Sequence, residues 1–183
     1  MVHVTISGQP GSGTSTIVKM LEEHFSWTSL NGGQVFRDEA EKRGLDLATF
    51  GKLCADDLSV DRMLDSELKS RMIAPGGPQI VESRLAGKWA HDLGIDCVRI
   101  WIEVTLEERA KRIVSREGGT VEQRLNEAKT RTEMDQARFS ELYGIDMADL
   151  QPYSNVIQGD NLDPESVFSE VISILEERGI ANV

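Results

Sequence analysis

Two cysteines are all that the 183-residue chain holds, Cys54 and Cys97, and neither belongs to a C-x-x-C pair or has a histidine at metal spacing. That scarcity excludes a disulfide framework and argues against a zinc site, leaving packing as the ordinary role of both residues. Positive charge is also short, with 20 Lys+Arg against 31 Asp+Glu and a net charge of −11. A sequence-independent nucleic-acid binder or a protein of anionic membranes needs a positive face, so neither class fits. No uninterrupted apolar stretch approaches a membrane span. No basic leader precedes an apolar region, which leads us to expect a cytoplasmic, reduced protein. Internal repeats and low-complexity segments are missing too. What is present suffices for a core: 39% of residues are hydrophobic and 28% charged, which predicts one compact domain over residues 1–183.

Val2, Val4 and Ile6 alternate with His3 and Thr5, predicting a strand that ends at Ser7. A glycine-rich turn follows, and apolar residues at helical spacing predict a helix from Thr14 to Phe25. Further along, strands are expected at Thr28–Leu30, Gln79–Glu82, Cys97–Val104 and Asn155–Gln158. Asn31-Gly32-Gly33 reads as a turn before a helix at Gln34–Arg43, and two helices are expected between Leu47 and Met72. The stretch holding Trp89 reads as a glycine-containing connection. Helices at Leu106–Arg116 and Val121–Leu142 flank Gly118-Gly119, and Asp163-Pro164 opens the last one. Strands alternating with helices imply an α/β fold, a mainly five-stranded parallel sheet covered on both faces. Two helical blocks, about residues 34–72 and 118–150, break this rhythm and are candidates for flaps over a ligand.

Gly8-Gln9-Pro10-Gly11-Ser12-Gly13-Thr14-Ser15-Thr16 follows a strand and opens a helix, the context of a phosphate-binding loop. Glycines let backbone N–H groups curl around phosphate oxygens, and the helix N-terminus favours negative charge. The pattern G-x-x-x-x-G-K-[S/T] fits at Gly8, Gly13 and Ser15, but threonine stands at position 14 where lysine is expected. Ser15 is the candidate Mg²⁺ ligand and Thr16 can reach an α-phosphate. The bland alternatives are a turn without a ligand and a set of hydroxyls that merely cap the helix.

Between Arg109 and Arg138 eight basic residues face five acidic ones, so this segment carries +3 within an acidic chain. Arg124, Arg131 and Arg138 are spaced by seven and share a helix face, as a clamp for polyphosphate would. A solvated helix with pairs such as Glu127–Arg131 is the competing reading. Arg37 follows the Gly32-Gly33 turn, and Glu82 and Arg84 lie at the carboxyl end of a strand, where ligands of open parallel sheets sit. Glu82 can serve Mg²⁺ through water or meet a substrate amino group; either residue could instead belong to a structural ion pair. Asp57, Asp61 and Asp65 form an i,i+4 stripe whose default reading is a solvated face.

These residues together resemble the archaeal-type cytidylate kinases, small P-loop nucleoside monophosphate kinases. The likeness runs over nearly the whole chain, through VTISGQPGSGT, GGQVFRDEAEKRG, ESRLAG, LEERAKRIVSRE and the Arg131…Arg138 segment before LYGIDMADL. It implies a P-loop NTPase-like three-layer α/β/α fold with a helical acceptor-binding insertion and a helical lid, and transfer of the ATP γ-phosphoryl group to CMP, and to dCMP, with Mg²⁺. Residue by residue, it implies that Gly8–Thr16 hold ATP phosphates and Arg37 meets the monophosphate. Arg84, Glu82, Asp61 and Asp65 would belong to the acceptor site, and Arg131 and Arg138 would close on the phosphates. Arg109, Arg112 and Arg116 match the helix leading into the lid. The chain departs from the family pattern at Thr14, at Met134 where serine is common, at Tyr153-Ser154, at Gly159-Asp160 near the expected adenine, and in the placement of Trp89. Free nucleotides are the expected partners, with no nucleic acid or membrane, and a monomer is expected. A kinase for AMP or UMP, and a nucleotide-binding regulator that has lost transfer, are the rival readings.

Overall fold

In the computed structural model the N-terminal β-branched residues form strand β1 (Val4–Gly8), whose five residues are all buried. The structure describes residues 1–180, and all their side chains except those of residues 47, 48, 55 and 56; residues 181–183, at the end of the single expected domain, lie outside it. Helix α1 (Thr14–Phe25) follows, then β2 (Ser29–Asn31). Three helices come next, α2 (Gly32–Lys42), α3 (Leu47–Asp56) and α4 (Leu58–Ile73). β3 (Ile80–Glu82), α5 (Ala86–Asp92) and β4 (Val98–Glu103) return the chain to the sheet. Two helices, α6 (Leu106–Glu117) and α7 (Val121–Tyr143), precede β5 (Asn155–Gln158) and α8 (Pro164–Glu177).

The five strands are parallel in the order β2-β3-β1-β4-β5. Successive residues of a strand point to opposite faces, so each strand feeds two cores. Val4, Ile6, Ile80 and Ile100 pack with Ile17, Val18 and Leu21 of α1 and Val167, Val171 and Leu175 of α8. Val81 and Trp101 face the other way, toward Trp89 and Ala90 of α5, Leu68 and Met72 of α4, and Phe139 of α7. The result is the three-layer α/β/α arrangement that strand–helix alternation implies. A third, smaller core of Ala40, Phe50, Cys54 and Val60 joins α2, α3 and α4. It gives the first helical block packing of its own beside the main sheet.

Three local expectations change. Asn31-Gly32-Gly33 is not a turn before the helix: Asn31 closes β2 and is the N-cap of α2, its side chain accepting from the Gln34 N–H at 3.2 Å. The connection holding Trp89 is helix α5; the Gly87 N–H donates to Ser7 Oγ of β1 at 3.3 Å, and Gly87 lacks the Cβ that would overlap the Tyr153 ring. The acidic stripe is not a solvated face either. Asp57 is the N-cap of α4, Asp61 is only 6% exposed, and Asp65 accepts a hydrogen bond from the Tyr143 hydroxyl at 2.7 Å.

Candidate active site

Every βα connection on one edge of a parallel sheet opens at the carboxyl ends of the strands, which is where a cleft of about 600 Å³ lies. The loop after β1 forms its floor. Gly11 and Gly13 adopt φ of 90° and 94°, a region open to glycine at little cost, and Gly13 is the N-cap of α1. The loop is held from behind by arginines. Arg84 Nη1 donates to the Gly8 carbonyl at 3.4 Å, Arg109 Nη1 to Pro10 at 3.1 Å and Arg112 Nη1 to Ser12 at 3.1 Å. With those carbonyls occupied, the loop is a fixed frame at a helix N-terminus, suited to phosphate oxygens.

Glu82, at the end of β3, is buried and collects three donors. Its Oε1 accepts from Thr14 Oγ1 at 2.6 Å and from Ser15 Oγ at 2.7 Å, while Oε2 accepts from Asn31 Nδ2. The hydroxyls of Thr14 and Ser15 therefore do not cap α1, correcting that reading. Glu82 does not pair with Arg84 either. Thr14 fills the lysine position with a buried hydroxyl and brings no charge. Ser15 Oγ beside a carboxylate is an all-oxygen donor pair, which is the chemistry Mg²⁺ takes when substrate phosphates supply further ligands. Asn31 was not among the residues the sequence singled out; its place between a strand and Gly-Gly was the only available signal.

The opposite wall comes from α4 and α7. Asp135 bridges Arg84 Nε at 3.1 Å and Arg138 Nη2 at 3.1 Å, and Arg138 Nη1 reaches Asp61 at 3.3 Å. Burial raises the Asp61 carboxyl above its usual range, an effect Arg138 opposes and Asp135 reinforces. Burial likewise lowers Arg84, with Asp135 opposing. Among the described residues, Asp61 Oδ2 and Arg138 Nε are buried without a hydrogen-bond partner. Asp135 joins the site from sequence positions the spacing analysis passed over, although it stands four residues after Arg131 and thus on the same face. Arg131 lines the cleft and, among the described residues, has no ion pair or hydrogen bond. The Glu127–Arg131 pair expected of a solvated helix is not formed.

Other predicted residues separate from this group. Arg124 donates to the Gly118 carbonyl at 2.9 Å and to Glu127 at 2.7 Å, so it holds the start of α7 rather than extending the arginine row into the cleft. Arg37 is exposed beside Gly33, bonded to Gln34 Oε1 at 2.8 Å, and does not line the cleft. Arg116 lines it, with Glu117 as its partner. Gln9, Pro10, Gly11, Gly13 and Thr16 line the floor; Gly8 and Ser12 complete the loop, and Asp65 lies on the α4 wall. Asp160 accepts from the N–H and hydroxyl of Thr105 at 3.0 Å and so anchors α6.

A family model described as AAA domain matches residues 7–137. The chain is 41% identical, over 87% of its length and 89% of the relative's, to a cytidylate kinase of Methanococcoides burtonii. It is 36% identical to a cytidylate kinase of Methanopyrus kandleri, covering 92% of this chain and 90% of that one. Among solved structures, the shikimate kinase of Aquifex aeolicus superposes with a TM-score of 0.62 at 15% identity, over 98% of this chain and 99% of that one.

Proposed function

The chain belongs to the archaeal-type cytidylate kinase family, and from that membership we propose that it transfers the γ-phosphoryl group of ATP to CMP, and to dCMP, giving the diphosphate and ADP. One observation carries the reading: a phosphate loop fixed by Arg109 and Arg112 shares its cleft with Arg131, which makes no ion pair among the described residues. Phosphoryl transfer uses such a cation, because charge on the equatorial oxygens of the moving group must be met in the transition state.

In this mechanism residues Gly8–Thr16 bind the ATP phosphates through the loop and the N-terminus of α1. Ser15, with Glu82 beside it, would hold Mg²⁺, which when bound neutralises phosphate charge. The acceptor enters between α2 and α4, under the first helical block (about residues 34–72), with Arg84, Glu82, Asp61 and Asp65 around it and Arg37 at the rim. The second block (about 118–150) acts as a lid: α7 brings Arg131 and Arg138 onto the transferring group, and closure keeps water out. Since Thr14 supplies no charge, these arginines carry a larger share of the neutralisation than they would beside a loop lysine. The work of the protein is positioning and electrostatics rather than covalent chemistry. We propose further that it acts as a monomer on free nucleotides in the cytoplasm. The net charge of −11 disfavours polyanionic partners, and no helix among the described residues is long and apolar enough to cross a membrane.

ADP release from ATP and Mg²⁺, measured separately with CMP, dCMP, UMP and AMP, tests the assignment. A preference for CMP and dCMP is expected; a preference for AMP or UMP overturns the acceptor, and nucleotide binding without ADP from any of them overturns transfer.

A further inference from the structure

Met134 is a large apolar side chain left 62% exposed on the wall of a mainly polar cleft. It stands three residues after Arg131 and four before Arg138, so at helical spacing all three lie on one face of α7, with Met134 between the two arginines along the helix. The side chain is not needed for packing in this state, since water covers most of it. The other large exposed apolar side chain of α7, Val121, stands at its first position, and near Met134 the exposed residues include Lys129 paired to Glu133 at 3.9 Å. A methionine is flexible and can adapt to an irregular ligand surface.

We propose that Met134 is the water-excluding residue of the site: when α7 closes, its thioether chain fills the space between Arg131 and Arg138 that water would otherwise occupy beside the transferring phosphoryl group. The inference rests on the phosphoryl-transfer reading above. In transfer, the bond from the γ-phosphorus to the bridging oxygen breaks, ADP leaves with the electron pair, and a bond forms to a phosphate oxygen of CMP. In the competing leak a water oxygen takes the place of the CMP oxygen, giving ADP, inorganic phosphate and a proton. Arginines alone stabilise both outcomes, because both place the same charge on the moving group. Only a group that displaces water separates them.

The test compares the wild-type protein with Met134→Ser and Met134→Leu. Inorganic phosphate released from ATP and Mg²⁺ without acceptor is measured against CDP formed with CMP, and melting temperature is followed in parallel. Met134→Ser is expected to raise the ratio of hydrolysis to transfer at least fivefold, and Met134→Leu to return it to within twofold of wild type. The exposure of the side chain predicts unchanged melting in both. A ratio that stays within twofold of wild type in Met134→Ser overturns the inference, as does a Met134→Leu that leaks as much as the serine variant. A wild-type protein that forms no CDP overturns the transfer reading itself, and that failure is seen before any variant is made.

Discussion

Helices α6 and α7 both carry arginines at the phosphate loop and its cleft, and the two sets are used in opposite ways. On α6 the guanidinium groups of Arg109 and Arg112 are spent mainly on backbone oxygens, while Arg116 pairs with Glu117. Arg109 is 5% exposed and donates to Val104 and Pro10, and Arg112 ties Ser12 to Gly159 and Leu162. On α7 the cleft-facing Arg138 meets carboxylates, whereas Arg131, among the described residues, makes no ion pair or hydrogen bond. A cation bonded to carbonyls has its geometry fixed and holds the loop in shape. A cation without a partner keeps its charge available for a ligand. In the proposed function the first set shapes the phosphate site and the second answers the phosphate, although both are arginines on neighbouring helices.

Removing the free cation is the sharpest way to break this comparison. Arg131→Ala should lower kcat with CMP by about a thousandfold, in line with the loss of a transition-state arginine. Melting should move by no more than about 1 °C, because no hydrogen bond or ion pair among the described residues is lost. Steady-state kinetics and a thermal melt decide it together; near-normal turnover would take Arg131 out of the mechanism. Arg109→Met should do the reverse. It strands the buried carbonyls of Val104 and Pro10 and should cost about 2 kcal/mol of stability, read by urea unfolding, with the KM for ATP rising as the loop loosens. A variant of full stability and altered kcat alone would show that the buried row acts on the ligand and that the division between the helices is wrong.

A third variant probes the floor between the rows. Glu82 accepts from Thr14, Ser15 and Asn31, so Glu82→Gln turns an N–H donor toward donors already in place. Activity at saturating ATP should fall about 10–100-fold, with more Mg²⁺ needed for half-maximal rate. Titrating the rate against Mg²⁺ separates this from a general loss of fold: an unchanged Mg²⁺ midpoint would leave Glu82 as a purely structural acceptor.

How much of this was legible in the sequence follows the range of the forces involved. Strand β1, the loop and α1 were readable because alternation, glycine geometry and helical periodicity are local. The sheet and its helical cover followed from the alternation of elements. Local patterns failed where the partner is remote. The stripe of Asp57, Asp61 and Asp65 looks solvated until α7 delivers Arg138, 77 residues away from Asp61, and Tyr143, 78 residues from Asp65. Helix α5 hid for a related reason: it is seven residues long, and its placement depends on the remote partners of Gly87, Ser7 of β1 and the Tyr153 ring. The arginines of α6 and α7 could not be told apart because burial, which divides them, is decided by the sheet beneath.

The smallest expected effect concerns the acidic end of the second row's network. Burial raises the Asp65 carboxyl above the ordinary 3.8, against the opposing hydrogen bond from Tyr143 and the charges of Lys69 and Arg138. A carboxyl that holds its proton more tightly in the folded than in the unfolded chain gains stability as pH falls from its raised value toward 3.8. Above that window the ionised form weighs against the fold. Asp65→Asn removes this titration while its amide oxygen can still accept from the Tyr143 hydroxyl. The variant should therefore melt about 1–3 °C above wild type near neutral pH, with the difference shrinking as the medium is acidified through that window. Melting curves taken across the range check it. A difference that stays constant, or widens in acid, would mean that the charge of Asp65 supports the network and that the carboxylates of this wall hold structure in the way the arginines of α6 do.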